Sequence, residues 1–362
     1  MKVLFVSRLA RDKGSTSSIV GLGKAGRSLG HEVALFGDPA ADIALPFSQE
    51  STGWDLVVFV VHGAKDFPGL PYIGELLDRV PKQRRVLIDC AARYNQSITV
   101  EHDANHLEAL DGHQAWEWGQ AFDAVASKVL QPTLTPRRPD VRPFLFHGFE
   151  PANVVRSYES ALEAAASQNG SSGAFKRYSL AFVGNNFQKW TQLRPVLEAL
   201  ERIDGTHPIS LVGRDWASRP KWAVSRSIAG IDVDSALLQR LSADIQRAVP
   251  FHEVLTSMSV GLISPVIHRP LFTHLGLVTT RTFETFCADA IPLLLLPETF
   301  VEALYGPAAL PLTARGDLTA VLEEMLRRPA HYWEAVLATR AYLTEHHSYE
   351  RRWRELLAIA ES

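Results

Sequence analysis

Short, unbroken apolar runs recur along this chain, each followed by a polar loop and then by apolar residues at helical spacing. Lys2–Ser7 (KVLFVS), Glu32–Phe36, Asp55–Val61 (DLVVFVV) and Arg85–Asp89 are the first such runs. A run of this length with no polar alternation is buried on both faces, as strands of a parallel sheet are. Between the first two runs, Ile19, Val20, Leu22, Ala25 and Leu29 mark one face of a helix that Gly30 stops. A second helix is predicted over Ile73–Val80, and Ala121–Ser127 and Val141–Phe146 read as further strands. Strand and helix alternate, so the first half is expected to be a doubly wound parallel α/β sheet.

The pattern then breaks and restarts. Glu159–Ala166 reads as a short helix, and Gln168–Ala174 (QNGSSGA) has the small polar composition of a linker. Tyr178–Gly184 (YSLAFVG), Ile209–Val212, Val260–Ser264 and Ile291–Leu296 supply a second set of strands. Helices are predicted around Leu193–Leu200, within Val249–Met258, and over Phe283–Ala288 and Leu318–Leu326. Tyr332–Ala360 reads as one long helical tail. At 362 residues the chain is comfortable for two domains. The expected division is 1–167, 168–335 and a terminal helix, 336–362, packing back on the first domain. Two such domains leave a cleft, and parallel sheets bind ligands at the carboxyl ends of their strands.

Composition narrows the function. The formal net charge is -3 and no long run of Lys or Arg occurs, so nucleic acid is not the expected partner. Arg137, Arg138 and Arg142 are interrupted by prolines and read as a solvated loop. Cys90 and Cys287 are far apart, which excludes a disulfide framework and suits a reducing cytoplasm. The longest apolar run, Ala290–Pro297, is far short of an integral membrane segment.

Gly21, Gly23 and Gly26 spell G-x-G-x-x-G, with Asp38 downstream. In a dinucleotide site the first glycine directly follows the strand. Here the strand ends near Ser7, so these glycines belong inside the helix, where small residues allow close packing. Glu101, His102, Asp103, His106, Asp111 and His113 resemble a metal cluster, and His102 and His106 would share a helix face. The H-E-x-x-H pattern is missing, so no metal is expected, and His102 and His106 are assigned to an acceptor site.

Four segments carry a family resemblance. They are Lys2–Asp38, with its "GHEV" strand; Leu180–Trp190 (LAFVGNNFQKW); Ser210–Trp216 (SLVGRDW); and Thr279–Leu295 (TTRTFETFCADAIPLLL). In order and spacing the chain resembles GT-B glycosyltransferases, within them the group 1 / family 4-like enzymes, and especially the bacterial branch related to spore-maturation glycosyltransferases. That resemblance implies two Rossmann-like domains facing across a cleft, and transfer of a sugar from a nucleotide-diphosphate sugar (a UDP-sugar, for example) to a small-molecule or glycan hydroxyl. It allows a homodimer. One departure stands out. The family often has two glutamates with seven residues between them; Glu284 fits the second, but Gly276 occupies the first.

The expected donor site is Gly14, Ser15, Gly184, Asn185, Lys189, Arg214, Thr280, Arg281 and Glu284. Lys189 stands just before a helix and Arg281 opens another, so both can meet a diphosphate at helix N-termini. Gly184 lets the backbone approach, and Asn185 and Asn186 donate hydrogen bonds. The resemblance assigns Glu284 to the ribose hydroxyls, the Lys13-Gly14-Ser15 loop to the donor phosphate or the acceptor, and Arg214 to the base pocket. His62 and Asp89 end adjacent strands and are the candidate catalytic residues: His62 as a sugar contact or base, Asp89 as rival base. Arg93 joins His102 and His106 on the acceptor side. Beyond the donor substrate no cofactor is expected. The rival functions are a nucleotide-sugar 2-epimerase, a non-catalytic sugar-nucleotide sensor and an NAD enzyme.

Overall fold

Two all-parallel sheets organise the chain. The computed structural model describes residues 1–8, 14–40, 43–62, 66–67, 73–95, 98–103, 106–110, 112–156, 176–220, 223 and 230–362, and for 98–103, 106–110 and 112–118 the backbone alone. The N-terminal sheet has seven strands in the order β3-β2-β1-β4-β5-β8-β9. Its central members are β1 (Lys2–Ser7), β4 (Leu56–Val61) and β5 (Arg85–Asp89), flanked by β2 (Glu32–Phe36), β3 (Phe47–Ser48), β8 (Lys128–Gln131) and β9 (Val141–Pro143). The C-terminal sheet runs β12-β11-β10-β13-β14, from β10 (Tyr178–Val183), β11 (Ile209–Val212), β12 (Asp244–Gln246), β13 (Gly261–Val266) and β14 (Ile291–Leu294). Every residue of β4, β11, β13 and β14 is buried, which is why these strands read as continuous apolar runs. In both sheets the order reverses beside the first strand, which opens a crevice at the carboxyl ends.

Several expected elements differ. Ala121–Ser127 is not a strand: Gly112–Val125 is a helix, and β8 begins at Lys128. Phe122, Val125 and Ala126 are buried at helical spacing, and Phe122 packs against Phe67 and Tyr94. The strand predicted over Val141–Phe146 ends at Pro143, which cannot donate to a ladder. His102 and His106 do not share a helix face. They lie on β6 (Ile98–Asp103) and β7 (His106–Leu110), which pair as an antiparallel hairpin with Asp103 opposite His106. The Glu159–Ala166 helix, the Gln168–Ala174 linker and Lys13 lie outside the described residues.

The tail is two helices, Pro329–His347 and Tyr349–Glu361, separated by Ser348 in an extended conformation. The first belongs to the C-terminal core through Tyr332, Trp333, Val336 and Leu343. The second crosses to the N-terminal domain, where Tyr349, Trp353 and Leu356 join Phe5, Ile19 and Leu22 in one cluster. Here the glycine pattern has its physical role. A Cβ on Gly21 would lie 2.5 Å from the Tyr349 ring, on Gly23 2.7 Å from Leu45, and on Gly26 2.6 Å from Trp353. The Gly14–Ser28 helix is thus smooth on the faces that receive these large side chains.

Candidate functional site

A cleft of about 850 Å³ separates the domains. Its walls are the segments that follow β10, β11 and β13, the start of the Thr280–Cys287 helix, and Gly14 and Arg93 from the N-terminal domain. Gly14 opens the Gly14–Ser28 helix, and a Cβ there would lie 2.1 Å from Thr280 Oγ1, so two helix N-termini converge at this point. Each brings the positive end of its dipole. Behind them, His147 Nδ1 is 2.7 Å from Ser18 Oγ and 3.1 Å from Thr280 Oγ1, joining the two domains through one buried ring. Burial, together with His62, holds this imidazole down to about 3.

The charge of the cleft is one-sided. Among the described residues its lining carries five cations, Arg93, Lys189, Arg214, Arg269 and Arg281, and one carboxylate, Glu284. Lys189 caps the Trp190–Glu201 helix, and its ammonium stands 5.4 Å from the centre of the Phe182 ring. Among the described residues no carboxylate pairs with it. Burial, then the neighbouring Arg281 and Arg269, pull its pKa down to about 7. Glu284 lies one turn after Arg281, with 3.6 Å between guanidinium and carboxylate. Burial raises the Glu284 pKa, and Arg281 partly offsets this. Arg281 also donates to Met258 Sδ at 3.1 Å. The loop after β10 is fixed by its neighbour after β11: Arg214 N donates to Asn185 Oδ1, and Trp216 Nε1 donates to Gly184 O. Arg269 stacks on Phe272, with 4.0 Å from guanidinium to ring centre, and reaches toward Phe187 at the cleft lip.

Nine residues expected at the site line this cleft: Gly14, Gly184, Asn185, Lys189, Arg214, Thr280, Arg281, Glu284 and Arg93. Ser15 is buried in the first turn of its helix and does not line it. Asp89 does not line it either. It is fully buried and accepts from Tyr94 N at 2.7 Å and Gln131 Nε2 at 3.1 Å, so it fastens the loop after β5. His62 also stands outside the lining; its Nδ1 is 3.7 Å from Asp66, whose carboxylate accepts from the His62 N–H. The side chains of His102 and His106 lie outside the described residues. Sequence reasoning missed His268, Arg269, Phe187 and Phe272. The first two directly follow β13, and the strand-end rule applied to that strand would have singled them out.

Known structures share this architecture. A β-glucosyltransferase of T4 phage, in complex with UDP and Mn2+, is 12% identical, with 99% of each chain covered and a TM-score of 0.53. An α-glucosyltransferase in complex with UDP-glucose and DNA containing an abasic site is 11% identical over 99% of each chain, with a TM-score of 0.60. The fold is GT-B. A further complex of the α-glucosyltransferase, with UDP and a 13-mer DNA containing an HMU base, is 12% identical, covers 99% of this chain and 98% of its own, and gives a TM-score of 0.58. No protein-family model matches the sequence, and no curated protein matches it. In this GT-B chain, no helix among the described residues is long and apolar enough to cross a membrane. Also among the described residues, no three His, Cys, Asp or Glu side chains gather into a metal-binding group.

Proposed function

We propose that this protein transfers a sugar from a nucleotide-diphosphate sugar to a hydroxyl acceptor, with retention of anomeric configuration and without a resident metal. The observation that carries the reading is the concentration of cations around one carboxylate, Glu284, among the described residues of the GT-B cleft. Like charges crowded into a partly buried site, such as Lys189 beside Arg281, repel one another, and a diphosphate relieves that repulsion. Lys189 and Arg281 are assigned to its oxygens, assisted by the helix start at Thr280 and by Gly14. Glu284 is assigned to the ribose hydroxyls, and Gly184, Asn185 and Arg214 to the base side. A divalent ion would need several oxygen ligands, and among the described residues the lining supplies one carboxylate, already 3.6 Å from an arginine. Direct neutralisation by side chains fits this donor set better.

In a retaining transfer the departing phosphate takes the acceptor proton, and Lys189 and Arg281 hold the charge that develops there. No protein base is then required, in keeping with the structural tasks of Asp89. His62 is proposed as a contact near the transferred sugar. The T-R-x-F-E run at Thr280–Glu284 supports the spore-maturation-type branch. On the acceptor, the expectation against nucleic acid rested on net charge and the lack of a basic run. The α-glucosyltransferase complexes hold UDP or UDP-glucose together with DNA, and the β-glucosyltransferase is described as a DNA modifying enzyme, so DNA containing an HMU base belongs in the acceptor screen beside glycans.

The test is a thermal-shift screen of nucleoside diphosphates and their sugar conjugates, followed by product analysis. At least one nucleoside diphosphate is expected to stabilise the protein, and Arg281→Ala and Glu284→Ala to weaken that response about tenfold or more in affinity. No response to any of them would overturn the proposal. Turnover without an acceptor would favour the epimerase, binding without turnover the sensor. Inverted product would restore a need for a base.

A further inference from the structure

His268 follows β13 at the floor of the cleft, one residue before Arg269. Its side chain is 3% exposed, and its ring meets Phe300 edge-on, at 6.0 Å between centres and 79° between planes. Nε2 has no hydrogen-bond partner among the described residues. An orphaned buried polar atom is costly in the ligand-free protein and calls for an explanation. The surroundings exclude one explanation. Burial, then Lys189, push the ring down to about 3, so it is neutral across the physiological range and adds no positive charge for a phosphate.

A neutral imidazole has one N–H and one lone pair. Phosphate oxygens only accept, whereas a sugar hydroxyl both donates and accepts and satisfies Nε2 in either tautomer. The cations Lys189 and Arg281 already account for the diphosphate, and Glu284 with the Arg214 loop accounts for the nucleoside. The group left for this corner of the cleft is the sugar. We infer that His268 Nε2 hydrogen-bonds a hydroxyl of the transferred sugar and thereby sets which sugar the cleft accepts. This rests on the nucleotide-sugar reading above. Sites built to hydrogen-bond a substrate hydroxyl discriminate strongly, because a ligand lacking it leaves the protein group unpaired.

The experiment compares wild type, His268→Phe and His268→Asn by titration calorimetry. The probes are UDP, GDP, ADP and dTDP, each alone and as its glucose, galactose or mannose conjugate. For the preferred conjugate, His268→Phe is expected to lose about tenfold or more in affinity and to narrow the preference over epimers toward unity. Its affinity for the bare nucleoside diphosphate is expected to change less than about twofold, which also reports an intact cleft. His268→Asn, which keeps a polar group, is expected to recover part of the preference. Equal losses for bare diphosphate and conjugate, or an unchanged sugar preference, would overturn this inference and leave the donor cleft standing. A wild-type protein that binds none of the probes would overturn both.

Discussion

The N-terminal sheet draws part of its core from the far end of the chain, and the C-terminal sheet does not. Trp353 and Leu356 are fully buried beside Phe5 and Leu22, some 330 residues earlier, whereas the C-terminal cluster comes from residues 180–343 together with Phe149. The domains also face the cleft differently. The C-terminal domain presents Lys189, Arg214, Arg269, Arg281 and Glu284; among the described residues the N-terminal domain presents only Gly14 and Arg93. One architecture thus supports two kinds of surface. The half with a self-contained core concentrates like charge, and the half that needs an outside helix offers the smoother wall.

The largest expected effect tests the borrowed core. Trp353→Ala should cost about 3–5 kcal/mol, the usual range for emptying a buried tryptophan site. Native-state hydrogen exchange should show the loss at the amides of β1 and β4 and little change at β10 and β13. Equal loss in both sheets would mean that the domains unfold as one unit, and the contrast would collapse. Next comes the charged wall. Lys189→Ala should lower nucleoside diphosphate affinity about 10- to 100-fold by calorimetry. Thermal unfolding of the ligand-free variant should show no loss of stability, because one of three crowded cations is gone.

The same lysine gives a pH signature. Its pKa near 7 in the folded protein is below the ordinary 10.5, so between these values the unfolded chain binds more protons. Its contribution to ligand-free stability therefore rises as pH increases through that window. A diphosphate requires the ammonium form, so binding takes up a proton, and affinity should fall by up to about tenfold per pH unit above pH ~7. Calorimetry in buffers of different ionisation enthalpy would count the proton; zero uptake would remove Lys189 from the phosphate site. The smallest effect sits where the two halves touch. Ser18→Ala removes one contact of buried His147 and should cost about 1 kcal/mol in denaturant unfolding. No cost would mean that Thr280 alone fixes that ring.

The fold was largely legible because both sheets are parallel and buried, so each central strand left a continuous apolar run. Lys189 and Arg281 were legible because each stands at or beside the start of a helix, and Glu284 through the family resemblance of the Thr280–Glu284 run. The hairpin of β6 and β7 was misread because alternating charged and apolar residues also fit a four-residue helical spacing when only the histidines are compared. Asp89 looked like a base because strand-end acids commonly are. Only the fold reveals that Asp89 is fully buried and that Tyr94 and Gln131 both donate to its Oδ2. His268 is marked in the sequence only by its place just after β13; what distinguishes it further is an unmatched nitrogen and a neighbouring lysine from another strand's loop.

The crossing at Ser348 bears on how the protein is made. Domains usually fold in order of synthesis, the N-terminal one first. Here Tyr349, Trp353 and Leu356 leave the ribosome after the whole core of the second domain, yet they complete the pocket formed by Gly21, Gly26 and Phe5. The second sheet has all its strands and its own covering helix before the first can close. During translation the earlier domain should wait with an apolar groove exposed, and termination between residues 343 and 349 should leave a folded second half attached to a chaperone-dependent first.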